Sequence, residues 1–503
     1  MSLQYIYLKT NNINNGEVID RDFLKHCQER TEQMSSMTKK QVKALQKKIT
    51  YTSKNAWDVI SEKDTKRIEK FSDDYKHFLN HAKTEREAIR TIETIVQRNG
   101  FRQAGKNNKK ICIAKNGKCM GVAVLGKTPM DQHMNIIAVH VDSPRLDLKP
   151  NPLFEDINLS ILKTHYYGGI RKYQWLARPL AIHGIVIKKN GSPFEMIMGE
   201  NDNDPVFTIP DLLPHLSKKV QGNKKISNGF EGEKLNVLIG GKPFGDDQIK
   251  ERFKLNTLKL LYDQYGMVEE DFISAELEIV PAGPAKDVGW DRSMIGGYAH
   301  DDRSCVFCAL EAVRSLKNPK HTALVLFFDK EEIGSDGNTG AKSLLIENVV
   351  RELIYKTQDQ YSERFLFNAL MNAKALSGDV NAGMDPNFQD VHEKRNAALL
   401  GHGVSLMKYT GHGGKIGSND ANAEYMGNLR KLFNENKIVW QTGEIGKIDE
   451  GGGGTIAKFL AEYGMNIIDC GPPVLSMHSP FEIISKVDLF MTLRAYQTFL
   501  EST

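Results

Sequence analysis

The chain is poor in the features that mark specialised proteins. Six cysteines in 503 residues are too sparse for a disulfide scaffold and suit a reducing compartment. No excess of one charge exists: 67 Lys+Arg against 63 Asp+Glu leave a formal +4, which argues against a chain built to sit on phosphate backbones or anionic lipid. Long hydrophobic runs are missing too. The apolar run Ala323–Phe328 falls far short of the about 20 residues that cross a bilayer. The opening stretch MSLQYIYLKTNN has no basic region followed by an apolar core, so no secretion signal is expected. Internal repeats and low-complexity tracts are lacking. What remains is a cytoplasmic globular protein with neither nucleic acid nor membrane as a partner. Its 40% hydrophobic residues suffice for a large core, in a length worth about three domains.

Residues 1–110 read as mostly helical. Thr84 followed by Glu87 is a capping-box pattern, and Ile89, Ile92, Ile95 and Val96 follow at helical spacing up to a stop at Gly100. The lysines at 39, 40, 43, 47 and 48 read as a solvated helix face, with a nucleic-acid patch as the weaker alternative. ICIAKNGKC and GVAVLG read as a hairpin, and Asn135–Val139 as a buried strand. Residues 151–283 hold short β-like runs broken by turns such as Asn190-Gly191, the texture of an inserted, mostly β module. After 284 strands and helices alternate: helix from Ser304, strand Thr322–Phe328, helix Asn338–Asn348, strand Gly464–Asp469, helix Lys486–Phe499. The fold class expected is α/β, a mostly parallel sheet covered by helices on both faces. The larger domain would be discontinuous (1–150 and 284–503), interrupted by the module at 151–283.

Ligand sites of open α/β sheets lie beyond the carboxyl ends of the strands, and there the chain places its imidazoles and carboxylates. His140 and Asp142 follow one strand, Asp329, Glu331 and Glu332 another. Asp379 lies in a polar stretch, His478 in the loop after a third strand, and Asp301-Asp302 ahead of a helix. That set suits a metal. Zinc accepts imidazole nitrogen and carboxylate oxygen, and a pair of ions needs one carboxylate bridging both. His140, Asp301, Glu332, Asp379 and His478 supply the count. Glu331 is then free to act as a base, and Asp142 to fix the His140 ring. Each residue also has an ordinary explanation. There are 14 histidines, His-x-Asp and Glu-Glu are common, and Asp301-Asp302 is a possible helix cap. Only the conjunction argues for metal, because acidic groups after several apolar strands would otherwise be costly to bury.

At these residues the sequence resembles the aspartyl aminopeptidase family, the dinuclear zinc aminopeptidases of metallopeptidase family 18. The similar blocks are AVHVDSPRLDLKPNPL, DDRSCVFCAL, FFDKEEIGSDGNTGA, SGDVNAGMDPNF, KIGSNDANAEYM and CGPPVLSMHSPFEI, in order over residues 138–483, with IPDLLPHL (209–216) in the inserted module. The resemblance implies a zinc-exopeptidase fold and two divalent ions per subunit, zinc first, with cobalt or manganese as alternatives. Asp301 would bridge, His140 and Asp379 would complete one site, and Glu332 and His478 the other. Glu331 would be the general base, acting on a water between the ions, and Asp142 would orient His140. His215 would either steady substrate in a neighbouring subunit's active site or serve as a third zinc histidine. The implied activity is hydrolysis of the first peptide bond of peptides with a free N-terminus. The implied assembly is a homo-oligomer, a tetrahedral dodecamer in the family, with much of the contact made by the β module.

Preference for N-terminal Asp or Glu would need a cation in the pocket. Lys415 and Lys408 are candidates, but KYTGHGGKIGSNDA matches acidic-preferring members poorly, so neutral or broad specificity stays open. The run Gly451–Gly454 lacks the Lys-Ser/Thr of a phosphate loop, and the resemblance implies that its Gly452 and Gly453 belong to a close-approach loop lining the substrate pocket. Cys305 and Cys308 read as buried structural thiols. Two other functions fit the same residues: an N-acyl amidohydrolase on a dinuclear fold, and a non-catalytic oligomeric binding protein.

Overall fold

The structure is a computed structural model that describes residues 37–103, 108–357 and 361–502. The expectations for residues 1–36, including the absence of a secretion signal, lie outside them. The chain divides into two compact units, 1–53 and 54–503. In the first, the helix Lys39–Ile49 begins at a capping box between Thr38 and Gln41 and buries none of its residues, so its lysines form a solvated face.

The second unit opens with helices Glu62–Asn80 and Glu85–Arg98. The predicted capping box starts the latter. Glu87 N–H donates to Thr84 Oγ1 (3.2 Å), and Thr84 N–H donates to Glu87 Oε2 (3.0 Å). Strands β1 (Lys110–Lys115), β2 (Cys119–Val124) and β3 (Met134–His140) follow. Next come β4 (Arg145–Asp156), β5 (Leu159–Tyr167), β6 (Leu180–Ile187), β7 (Pro193–Met198), β8 (Val237–Gly240) and β9 (Ala275–Pro281). Then β10 (Lys286–Val288), β11 (Met294–Gly297), β12 (Thr322–Phe328), β13 (Lys374–Ser377) and β14 (Asn381–Ala382). The last are β15 (Val404–Met407), β16 (Trp440–Thr442), β17 (Asn466–Gly471), β18 (Pro473–Leu475) and β19 (Glu482–Ser485).

The largest sheet has eight strands, in the order β1-β2-β12-β3-β13-β17-β15-β16. Its centre is parallel: β12, β3, β13 and β17 run the same way. β2 is antiparallel to β12, and β15 to β17. The expected mostly parallel sheet is therefore a mixed one. On the β1–β2 flank the cause is local, since the two strands are joined by a three-residue turn, which only an antiparallel pair can close. A six-stranded sheet, β7-β6-β9-β4-β5-β8, is antiparallel throughout. It begins at Arg145, ahead of the expected boundary at 150. The sequence reading did not foresee the five-stranded sheet β10-β11-β19-β18-β14, whose strands of two to four residues carry too little periodicity to be read.

Alternation explains why the central strands read as unbroken apolar runs. Ile137, Val139, Val325 and Phe327 point into one cluster, which includes residues of the helices Glu62–Asn80, His300–Ser315 and Lys486–Glu501. Ile136, Ala138, Leu324, Leu326 and Phe328 point into another, shared with Leu345–Thr357 and Glu363–Met371. A sheet buried on both faces has no polar side to show. The helix expected at Asn338–Asn348 begins only at Leu345. Residues ahead of it are held as a loop: Thr339 Oγ1 donates to Asp329 Oδ2 (2.7 Å), and Asp329 N–H donates to the Thr339 carbonyl (3.1 Å).

The registers align the strand ends. Phe328 pairs with His140 and Ser377 with Ala138, so the chain leaves β3, β12 and β13 at one edge of the sheet. Because packing on both faces sets this edge, Leu326→Ala should cost about 2–5 kcal/mol, whereas Leu344→Ala, 64% exposed, should stay within about 0.5 kcal/mol. Urea unfolding midpoints of the two variants check the contrast.

Candidate metal centre

His140 closes β3, and Asp379 follows the end of β13 by two residues. Glu331 and Glu332 open a short turn after β12. Asp301 comes from the opposite direction, at the start of the helix His300–Ser315, joined to Asp302 by a cis peptide. His478 lies between β18 and β19 with a left-handed φ of 63°. Glycine is required where two of these segments cross: a Cβ on Gly471 would stand 2.1 Å from the Asp379 carbonyl.

These elements bring the five predicted ligands together. Asp301 Oδ1 lies 3.2 Å from His140 Nε2, and Asp301 Oδ2 lies 3.2 Å from His478 Nε2. Asp379 Oδ1 is 3.9 Å from His140 Nε2, and Glu332 Oε2 is 3.4 Å from His478 Nε2. Ligand atoms of His140, Asp301, Asp302 and Asp379 form one cluster, those of Asp301, Glu332 and His478 another, and Glu331 joins His140 and Glu332 in a third.

The rings are set from behind. His140 Nδ1 is 3.2 Å from the Asp142 carbonyl and 3.4 Å from Asp142 Oδ1. His478 Nδ1 donates to the Gly169 carbonyl (2.9 Å). Partners that only accept place a proton on each Nδ1 and aim each Nε2 at the carboxylates. Asp142 is fully buried and accepts from Tyr167 Oη (2.8 Å) and from the backbone N–H groups of Glu331 and Glu332 (3.1 Å each). It thus ties the His140 ring to the Glu331-Glu332 turn. Arg303, also buried, donates to the Ala82, Lys83 and Asp142 carbonyls and to Ser143 Oγ.

The electrostatics are those of carboxylates crowded out of water beside two imidazoles. Burial drives Glu332 well above the ordinary carboxylate range, against His478 and with help from Asp301 and Glu331. Asp379 is raised likewise, by burial first. Burial disfavours charge on Asp301 as well, but hydrogen bonds from His140 and His478 outweigh it and hold the group low. Burial opposes the His478 charge too, yet Glu332 and Asp301 push it up to about 11. Burial brings Glu331 up to about 7, opposed by His140 and assisted by Asp142 and Asp301. Glu332 Oε1 is buried with no hydrogen-bond partner among the described residues. An orphaned carboxylate oxygen beside two imidazoles aimed by their Nε2 atoms fits a divalent cation, and nitrogen with carboxylate oxygen is the donor set of zinc.

Other predicted residues stand apart. His215 is exposed on the short helix Pro214–Ser217 and belongs to none of the clusters. Lys415 Nζ pairs with Asp420 Oδ2 (2.6 Å) and lies 3.9 Å from the Tyr409 ring centre. Lys408 pairs with the other oxygen of Asp420. Gly452 packs closely on another backbone segment: its φ is +135°, and a Cβ there would meet the Gly411 carbonyl at 2.0 Å. Gly411 N–H donates to the Gly453 carbonyl (2.6 Å). Lys415 and Gly452 line one cleft with Tyr409 and Glu444, and no member of the ligand clusters lines it. Cys305 and Cys308 are buried free thiols, as expected. Sequence reasoning missed Tyr167, the Gly169 carbonyl and Glu482, because no fixed spacing links them to the ligands.

The family model described as aminopeptidase I zinc metalloprotease (M18) matches residues 78–500. The chain belongs to this family. It is 47% identical over 458 residues to a probable M18 family aminopeptidase 1 of Clostridium acetobutylicum, covering 89% of this chain and 98% of that protein. The crystal structure of an M18 aminopeptidase from Thermotoga maritima superposes with a TM-score of 0.86 at 46% identity, over 90% of this chain and 100% of that one. The yeast mApe1 dodecamer shares the fold at 21% identity (TM-score 0.70, 86% and 97% covered). The chain is a metal-dependent aminopeptidase, a zinc-class peptide hydrolase, and the amidohydrolase and non-catalytic alternatives give way to it. Among the described residues, no helix is long and apolar enough to cross a membrane.

Metal must displace protons from this centre, because His478 and Glu332 hold them in its absence. Zinc affinity should therefore fall with acid, and titration calorimetry near pH 7 in buffers of different ionisation enthalpy should show at least about one proton released. Binding heats independent of buffer would contradict the assignment.

Proposed function

We propose that the centre holds two divalent ions, zinc first, bridged by Asp301. The aim of Asp301 carries this: one oxygen faces His140 and the other faces His478. His140 and Asp379 would complete one site, and Glu332 and His478 the other. Metal held there supplies Lewis-acid polarisation of the scissile carbonyl and acidifies water. Glu331, poised near neutrality, takes the proton of the attacking water and returns it to the leaving amine, cleaving the first peptide bond. Asp142 holds the His140 ring and the Glu331-Glu332 turn in register for this.

The domain scheme goes with it, with the first boundary moved ahead of β4: a discontinuous catalytic domain on either side of an inserted oligomerisation or lid domain that starts at Arg145 and ends near 283. His215, exposed on that module, would serve a neighbouring subunit's site in a homo-oligomer, as large as a dodecamer. A cytoplasmic location suits the five free, buried cysteines among the described residues. Lys415, Gly452 and Gly453 are assigned to the substrate side. Because Asp420 already pairs with both Lys415 and Lys408, a neutral or broad N-terminal preference fits better than preference for Asp or Glu.

Glu331→Gln should retain zinc and lower kcat by about 10²–10⁴-fold, measured with aminoacyl chromogenic substrates alongside metal analysis. Full activity with metal bound would remove Glu331 as the base. On the same panel, Leu or Met substrates should exceed Asp, and chelator should abolish all turnover; faster cleavage of Asp would reverse the proposed preference.

A further inference from the structure

Glu482 opens β19 and is 1% exposed. Its two oxygens face two different backbone donors: Oε2 accepts the N–H of Asp301 (3.0 Å), and Oε1 accepts the N–H of His478 (2.6 Å). These residues reach the centre from separate parts of the chain. Asp301 follows β11 through the left-handed Ala299 (φ 69°), and His478 occupies the left-handed connection between β18 and β19. The β11–β19 ladder brings the segments close, with Gly297 opposite Glu482, but the ladder ends there. Beyond it, the two peptide N–H groups are linked through this carboxylate.

We infer that Glu482 is a positioning residue for the reaction: its carboxylate clamps the backbones of Asp301 and His478, and so sets the separation of the two side chains that face each other at 3.2 Å. The inference rests on the assignment of Asp301 and His478 as metal ligands. Two backbone donors at once demand two acceptor oxygens, which a carboxylate has and a carboxamide lacks. Glutamine would fill the same volume, yet would turn an NH₂ group toward one of the peptide N–H groups and push that ligand away. Both oxygens are spent on these backbone N–H groups, so the side chain acts through the ligands. Loss of a group that orients ligands typically costs about 10–100-fold in metal affinity or activity.

The full-length protein and Glu482→Gln would be compared by thermal melting, zinc competition against a chromophoric chelator, the visible spectrum of the cobalt-loaded form, and kcat and KM at saturating zinc. The expected result is a folded variant whose zinc affinity and kcat fall by about 10–100-fold, with KM within about threefold and a shifted cobalt spectrum. Wild-type affinity and spectrum, or a lower melting temperature alone, would overturn the positioning role. Should Glu482→Gln not fold, Glu482→Asp, with both oxygens on a shorter stem, should bind zinc more weakly than wild type. Unchanged affinity in that variant would overturn the role equally. His478→Ala separates the two levels: if it keeps zinc at wild-type affinity, the ligand assignment fails, whatever Glu482 does.

Discussion

The structure depends on one electrostatic constraint: carboxylates crowd at a buried point where they cannot all be charged unless a cation joins them. Asp301, Asp302 and Asp379 are each less than a tenth exposed, and the Glu332 side chain is equally hidden. Repulsion at such distances in a low-dielectric surrounding is far larger than in water. Burial holds the Glu332 and Asp379 carboxyls well above their ordinary range, and the neighbouring carboxylates hold the two imidazoles up. The surrounding fold resists this repulsion through backbone hydrogen bonds and packed layers.

Support comes in two layers. The eight-stranded sheet delivers His140, the Glu331-Glu332 turn and Asp379 to one edge, because parallel strands in register end together. The five-stranded sheet delivers Asp301 and His478 from across the gap. Buried acceptors then join the layers: Asp142 binds the β3 end to the turn after β12, and Glu482 binds the start of the helix His300–Ser315 to the loop before β19. Carboxylates suit this work, since each offers two acceptor oxygens to orphaned peptide N–H groups.

Much of the centre was legible in the sequence. Apolar runs such as Thr322–Phe328 announce buried strands, and polar residues placed directly after them lie where open sheets bind ligands. The capping box at Thr84 and the hairpin before Val124 also fall where local rules place them. Legibility ended where pairing is non-local. The helix expected from Asn338 starts at Leu345, because the side chain of Asp329, ten residues upstream, holds Thr339 in a loop. The strands of the five-stranded sheet are too short for a period to show.

The residue types and their order along the chain thus determined the donor set, the helix and strand content of the central layers, and the absence of a long apolar span. Tertiary structure alone decided which oxygen of Asp301 faces which imidazole, that the central sheet turns antiparallel at its flanks, and that Asp420 takes up both lysines considered for an acidic substrate. The division has a physical reason. Donor chemistry and periodicity are properties of neighbouring residues, whereas register, ring orientation and ion pairing are fixed between segments far apart in sequence, where packing and hydrogen-bond geometry choose among arrangements the local pattern leaves equal.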